Sequence, residues 1–171
     1  MSLRSVLLIF SIVLFGAVWS YEMNRTNPQM PEGSRRLDGA PPCIRIYDLL
    51  KKYSDQYGVP FGIAYGVAVK ETAYHGPFDW DYNPKRTSSA AAYGAMQIQV
   101  PTANFIWRNE RVVTSKDLLN DLELNVQTSM KLLSYLKKRY GSWGLALGCY
   151  NTGYPVVNGY ATDIINISKT K

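Results

Sequence analysis

Asp121-Leu-Glu-Leu-Asn-Val-Gln-Thr-Ser-Met-Lys-Leu-Leu-Ser-Tyr-Leu-Lys-Lys-Arg-Tyr140 is the stretch that decides the fold class. Leu122, Val126, Met130, Leu133 and Leu136 recur at three- and four-residue intervals, which puts them on one face of an α-helix. Gly141 follows, a residue that readily takes the left-handed conformation in which helices end. The pattern predicts a helix over residues 121–140, and its flanks read the same way. Ser142 is placed to cap a last helix whose Trp143, Ala146, Leu147 and Tyr150 face inward. Upstream, Pro101 starts a short helix with Phe105, Ile106 and Trp107, and Ser115 caps a turn through Leu118 and Leu119.

Nearer the N-terminus, Cys43, Tyr47, Leu50, Tyr53 and Tyr57 form a helical stripe between Pro42 and Gly58. Pro60 opens a second helix that runs through Glu71, with Gly62, Ala64, Gly66 and Ala68 on a small-residue face. Glycine inside a helix costs up to about 1 kcal/mol relative to alanine, so close approach by another helix is the expected compensation. From His75 to Ala92 the pattern dissolves into a long loop, and loops beyond about 12–15 residues in compact domains are usually functional. No strand-like alternation lasts beyond a few residues, and no internal repeat is present. The prediction is a single all-α domain over residues 43–171.

Composition narrows the classes of function. The 171 residues are 46% hydrophobic and 19% charged, a globular balance, with a net charge of +6. Thirteen tyrosines and four tryptophans are enough both to fill a core and to line a sugar-binding groove. Arg4 followed by the charge-free apolar run Val6–Trp19 reads as an export signal over residues 1–20, with cleavage after Ser20. The alternative is a retained N-terminal membrane anchor. Residues 21–42 are rich in Pro, Gly, Asn, Ser and Arg, and read as a flexible tether. Cleavage would leave 18 basic against 13 acidic side chains, a balance suited to an anionic polymer such as the cell wall. The export signal and the lack of a dense basic run argue against nucleic acid. One histidine and no Cys-x-x-Cys argue against a metal site, and no cofactor is called for. Cys43 and Cys149 either pair after export or stay as buried thiols; Ala146, Leu147 and Gly148 around Cys149 favour the thiol.

Three short segments carry the chemistry: Glu71-Thr72-Ala73-Tyr74, Gly94-Ala95-Met96-Gln97-Ile98 and Cys149-Tyr150-Asn151-Thr152-Gly153. Cleaving a glycosidic bond needs a proton donor kept un-ionised near neutral pH, which burial among apolar groups provides. Glu71 lies where an apolar helix meets a polar loop, so its carboxyl can be desolvated yet reach a cleft. Two-carboxylate enzymes need a second acid across the sugar, for which Asp79 and Asp81 are the nearby candidates. Without them the 2-acetamido group of an amino sugar must stabilise the cation-like transition state.

In order and spacing these motifs resemble the lytic transglycosylases of the soluble, goose-lysozyme-like SLT family, over roughly Ile44 to Ile165. Asn83-Pro84 with Ser88, then Pro101-Thr102, Asn125 and Tyr160, match further family positions. Thr72 replaces the family's serine, Ala95 its leucine, and Cys149 and Thr152 its alanines. About eight residues, His75 to Tyr82, look inserted. Their Phe78, Trp80 and Tyr82 either form one lip of a glycan groove or pack on their own surface.

The resemblance implies a lysozyme-like fold and cleavage of the MurNAc-β-1,4-GlcNAc bond of peptidoglycan, leaving 1,6-anhydro-MurNAc. It implies Glu71 as acid and then base, with Ser88, Met96, Gln97, Tyr150, Asn151 and Tyr160 on the substrate side. For Asn151 a turn-closing role before Gly153 is the favoured alternative, and Asn125 reads as structural. Peptidoglycan glycan strands are the expected partner of a periplasmic or envelope-bound monomer, membrane-attached only through the N-terminal segment. A secretion or conjugation apparatus is a compatible further partner. The competing readings are a hydrolysing muramidase with water held by Asp79 or Asp81, and a wall-binding or assembly protein without turnover.

Overall fold

A computed structural model of the chain describes residues 39–171. The expected export segment and the tether as far as residue 38 lie outside the described residues. Among the described residues no helix is long and apolar enough to cross a membrane.

Seven helices and one very small hairpin make up this region, in the order α1 (Pro42–Tyr57), α2 (Phe61–Thr72), β1 (Ala92–Tyr93), β2 (Ile98–Gln99), α3 (Val100–Ile106), α4 (Ser115–Asn120), α5 (Leu122–Tyr140), α6 (Trp143–Thr152) and α7 (Gly159–Ser168). The central element is α5. Asp121 caps it by accepting from the Leu124 amide at 2.8 Å, and Gly141 ends it at φ 78°. Val126, Met130 and Leu133 on its inner face are fully buried. Each such side chain contributes about 1.5–3 kcal/mol through removal from water. Helix α5 packs against α1 on one side and α6 on the other.

Helix α2 has the small-residue face the sequence shows, and its partner is α7. A methyl added at Gly62 would come within 2.6 Å of the Ser168 carbonyl oxygen, and one at Gly66 within 2.9 Å of Ile164 Cγ2. The glycines thus let the two helix backbones approach more closely than any side chain would allow. Ala73, at φ 55°, terminates α2 in the left-handed conformation, with its amide donating to the Val69 carbonyl at 3.0 Å.

Several sequence expectations change. Helix α7 was not anticipated, because Asn158-Gly159 reads as a turn; Asn158 instead caps the helix by accepting from the Ala161 amide at 3.0 Å. The cap of α4 is Thr114, not Ser115, in a reciprocal capping box with Asp117. In α1 the buried stripe is Cys43, Ile46, Leu49, Leu50 and Tyr53, while Tyr47 and Tyr57 sit half-exposed at its edges. In α3, Ile106 and the following Trp107 are buried while Phe105 is exposed. The hairpin pairs Ala92 with Gln99 and Tyr93 with Ile98, too short for alternation to register in sequence. Cys43 and Cys149 are both free thiols, the first buried and the second half-buried.

Candidate active site

Glu71 is the penultimate residue of α2, and the helix axis carries it to the wall of an open cleft of about 580 Å³. The cleft is bounded by the hairpin region (Ser88, Ala92, Gln97, Ile98), by α3 and α5 (Phe105, Leu132, Tyr135, Arg139), and by the end of α6 (Cys149 to Gly153). Glu71 is the one carboxylate lining it among the described residues. Asp79 and Asp81 are not in the lining, and Asp79 Oδ2 instead accepts from the His75 amide at 3.2 Å.

Burial pushes the Glu71 carboxyl above the usual carboxylate range. A hydrogen bond from Tyr160 and the charge of Lys70 oppose this without cancelling it. The Tyr160 hydroxyl donates to Glu71 Oε1 at 2.5 Å. Lys70 is itself tied to Asp163 Oδ2 at 2.7 Å, at an exposed ion pair between α2 and α7. Helix α7 therefore supplies both the close-packed support of α2 and a hydroxyl that fixes the acid. Tyr160 is held well above its own range by burial first and by the facing carboxyl second, so it stays a donor.

The turn after β1 is held from behind. Asn125, fully buried on α5, accepts from the Met96 amide at 2.8 Å and donates to the carbonyls of Tyr93 at 2.8 Å and Leu118 at 3.1 Å. The Tyr150 hydroxyl donates to the Met96 carbonyl at 2.7 Å, and the Ser129 hydroxyl lies 2.9 Å from it, placed to donate to Tyr150. Between them, Asn125 and Tyr150 satisfy both backbone groups of Met96. That allows Gln97 to hold a positive φ of 48°, which costs a non-glycine residue about 1–2 kcal/mol. Gln97 Nε2 donates to Gly94 O at 2.8 Å and Arg86 O at 3.2 Å, leaving its carbonyl oxygen as the acceptor available to a ligand.

Ser88, Gln97, Tyr150 and Asn151 all line the cleft with Glu71. Ser88 Oγ accepts from the Ala92 amide at 3.2 Å and donates to no described group. Asn151 Oδ1 accepts from Asn158 Nδ2 at 3.2 Å, which ties the end of α6 to the cap of α7. One expectation is corrected. The Met96 side chain is wholly buried, so this residue acts through its backbone and not as a sugar contact. Tyr150 stands in the cleft lining as expected, and its hydroxyl, by donating to the Met96 carbonyl, also braces the turn. Of the two readings of the insertion, the structure favours the loop that packs on itself, with Phe78 and Trp80 edge to face at 6.3 Å. Phe78 and Trp80 are exposed but absent from the cleft lining, and Tyr82 is buried with its hydroxyl 2.9 Å from Thr72 Oγ1. Sequence reasoning missed Ser129, Asn158, Tyr135 and Arg139. The first two are ordinary cap or helix residues in sequence, and the latter two read as an outer face of α5.

An all-α domain with one half-buried carboxyl opening on a long cleft is lysozyme-like. The family model of the transglycosylase SLT domain matches residues 48–162, and the chain belongs to that family. Among solved structures, the 70-kDa soluble lytic transglycosylase Slt70 from Escherichia coli is similar at 27% identity and a TM-score of 0.53, covering 71% of this chain and 18% of that one. A complex of the 70-kDa soluble lytic transglycosylase with bulgecin A is similar at 25% identity and a TM-score of 0.53, covering 73% and 19%. Lytic transglycosylase Slt from Pseudomonas aeruginosa, solved as an inactive glutamate-to-glutamine mutant, shares 19% identity at a TM-score of 0.53 over 62% and 16%, a likeness of fold. The chain thus spans less than a fifth of each of these proteins. A search of curated proteins returned no match.

Proposed function

We propose that this chain is an exported peptidoglycan lytic transglycosylase, cleaving the MurNAc-β-1,4-GlcNAc bond with Glu71 as acid and then base. The observation that carries the reading is a single carboxyl in the cleft, raised by burial and held by Tyr160. Protonated Glu71 gives its proton to the glycosidic oxygen as the bond to C1 breaks. The MurNAc acetamido oxygen closes on C1, with the Ser88 hydroxyl donating to the acetamido group. The C6 hydroxyl then attacks C1, its proton returns to Glu71, and the acetamido bond to C1 opens. Every atom stays on the two sugar products and no water is consumed. One residue acting first as acid and then as base follows the logic of retaining glycosidases. The internal nucleophile gains the effective concentration of an oriented intramolecular reaction.

In the competing hydrolytic reading, Asp79 or Asp81 holds a water on the far face of the sugar. Their absence from the cleft lining favours the transglycosylase. Gln97, by its carbonyl oxygen, and Asn151 are the proposed further contacts to the glycan. The apolar N-terminal run supports export to the periplasm or envelope, and glycan strands are the partner proposed from the family. The test is turnover of purified sacculi by Glu71→Gln protein. A loss of about 10³-fold with a native circular-dichroism spectrum is expected, in line with general acid–base contributions. Turnover equal to wild type would overturn the assignment.

A further inference from the structure

Behind the turn that carries Gln97 lies a second cavity, of about 170 Å³, opening where α1, the Asn83–Lys85 loop and the α4–α5 junction meet. Its walls are largely apolar, with Pro42, Pro84, Leu118 and Leu122 among them, and Gly94 and Ala95 form part of its floor. Two cations, Arg45 and Lys85, line it, and no carboxylate does. Neither takes part in an ion pair among the described residues. Arg45 Nε is buried and has no hydrogen-bond partner among them, an arrangement proteins rarely leave unmade. Glu123 is near enough to feel the Arg45 charge, but its Oε1 already accepts from Lys52 at 2.7 Å and Tyr53 at 2.6 Å. Lys85 Nζ donates only to Asn120 Oδ1, at 3.1 Å.

We propose that this cavity is a binding site for the C-terminal residue of a short peptide with a small apolar side chain. The carboxylate meets the end of the Arg45 guanidinium that lines the cavity, and Lys85 adds a second charge. The side chain rests on Leu118, Leu122 and Pro84. A planar guanidinium with two parallel N–H vectors matches a carboxylate in a way that a lone ammonium does not. The apolar walls reject bare inorganic anions, which have no body to bury. The cavity shares no lining residue with the cleft that holds Glu71, so the site is separate from it and independent of the activity proposed there.

The experiment titrates ¹⁵N-labelled protein with N-acetyl-D-alanyl-D-alanine, its L,L isomer and the C-terminal amide of each. Saturable shifts of the Gly94, Ala95 and Leu118 amides by an acid, and at least tenfold weaker binding of its amide, are expected. The isomer that binds more tightly assigns the source to wall stems or to ordinary protein termini. Arg45→Gln should lose binding at least tenfold, and Lys85→Gln, an exposed change that spares the fold, severalfold. Binding of amide and acid alike, shifts at Gln97 and Asn151 instead, or no saturation by any probe would overturn the proposal. If Arg45→Gln fails to fold, the amide probes and Lys85→Gln decide it alone.

Discussion

Two aromatic-bearing segments, one adjacent to the acid helix in sequence and one distant from it, are used in opposite ways. Residues 75–82 carry Phe78, Trp80 and Tyr82 on a loop that follows α2 directly. Residues 153–160 carry Tyr154 and Tyr160, running from the end of α6 into the first turn of α7. The first segment sends Tyr82 into the core and leaves Phe78 and Trp80 in water away from the cleft lining. The second brings Tyr160 onto Glu71. Sequence proximity to the acid therefore does not decide which ring serves it. What decides is backbone packing: the linker crosses α6 so closely that a methyl on Gly148 would lie 1.7 Å from the Val156 carbonyl oxygen. That contact, and the Asn158–Asn151 bond, deliver α7 and its tyrosine to the carboxyl.

The largest break in this comparison is expected from Gly148→Ala. The added methyl cannot be accommodated without moving backbone, so stability should fall by about 3 kcal/mol, the upper part of the range for overpacking. Displacing α7 by about 1 Å should also cost on the order of 10²-fold in turnover. Urea denaturation and sacculus digestion measure the two effects; native values for both would mean the linker is not pinned there.

Tyr160→Phe is the next largest. The Tyr160 bond favours the ionised form of Glu71, so its loss leaves burial less opposed and raises the Glu71 pKa further. Acid catalysis needs the protonated carboxyl, so activity falls as pH rises through that pKa. The basic limb of the kcat/KM profile should therefore move to higher pH, with kcat down about tenfold, equivalent to about 1.4 kcal/mol. A limb that moves to lower pH contradicts the account. The same raised pKa sets a stability trend. Glu71 favours the fold while protonated, and this contribution is lost as pH rises through its folded-state value. Glu71→Gln should accordingly melt higher than wild type on the alkaline side and like it at low pH, as differential scanning calorimetry can show.

The smallest effect belongs to the other segment. Phe78→Ala and Trp80→Ala remove exposed rings and should change stability by no more than about 0.5 kcal/mol, with sacculus digestion unaltered. A large loss of digestion would restore the insertion as a lip of the glycan groove.

The parts of the molecule legible in sequence are those with strong local signals. The 3.6-residue pattern of α5, its Asp121 and Gly141 ends, and the small face of α2 are all local. Helix α7 was hidden because Asn158-Gly159 is a turn signal in isolation and becomes a cap only when α2 offers glycines to pack against. Motif order located Glu71, Gln97 and Tyr150 at one cleft, yet it does not distinguish a side-chain role from a backbone one. Met96 is the case in point: its carbonyl and amide organise the turn while its side chain fills the core. Phe78 and Trp80 stayed open between two readings for a related reason, since aromatic content near an acid says nothing about which way a loop turns.

The most direct measurement is mass spectrometry of the fragments released from purified sacculi by the wild-type protein. An internal C6 attack predicts disaccharide-peptides one water lighter than hydrolysis products, ending in 1,6-anhydro-MurNAc and resistant to borohydride. Fragments with reducible MurNAc ends would contradict it, and would return the reaction to a water-using muramidase.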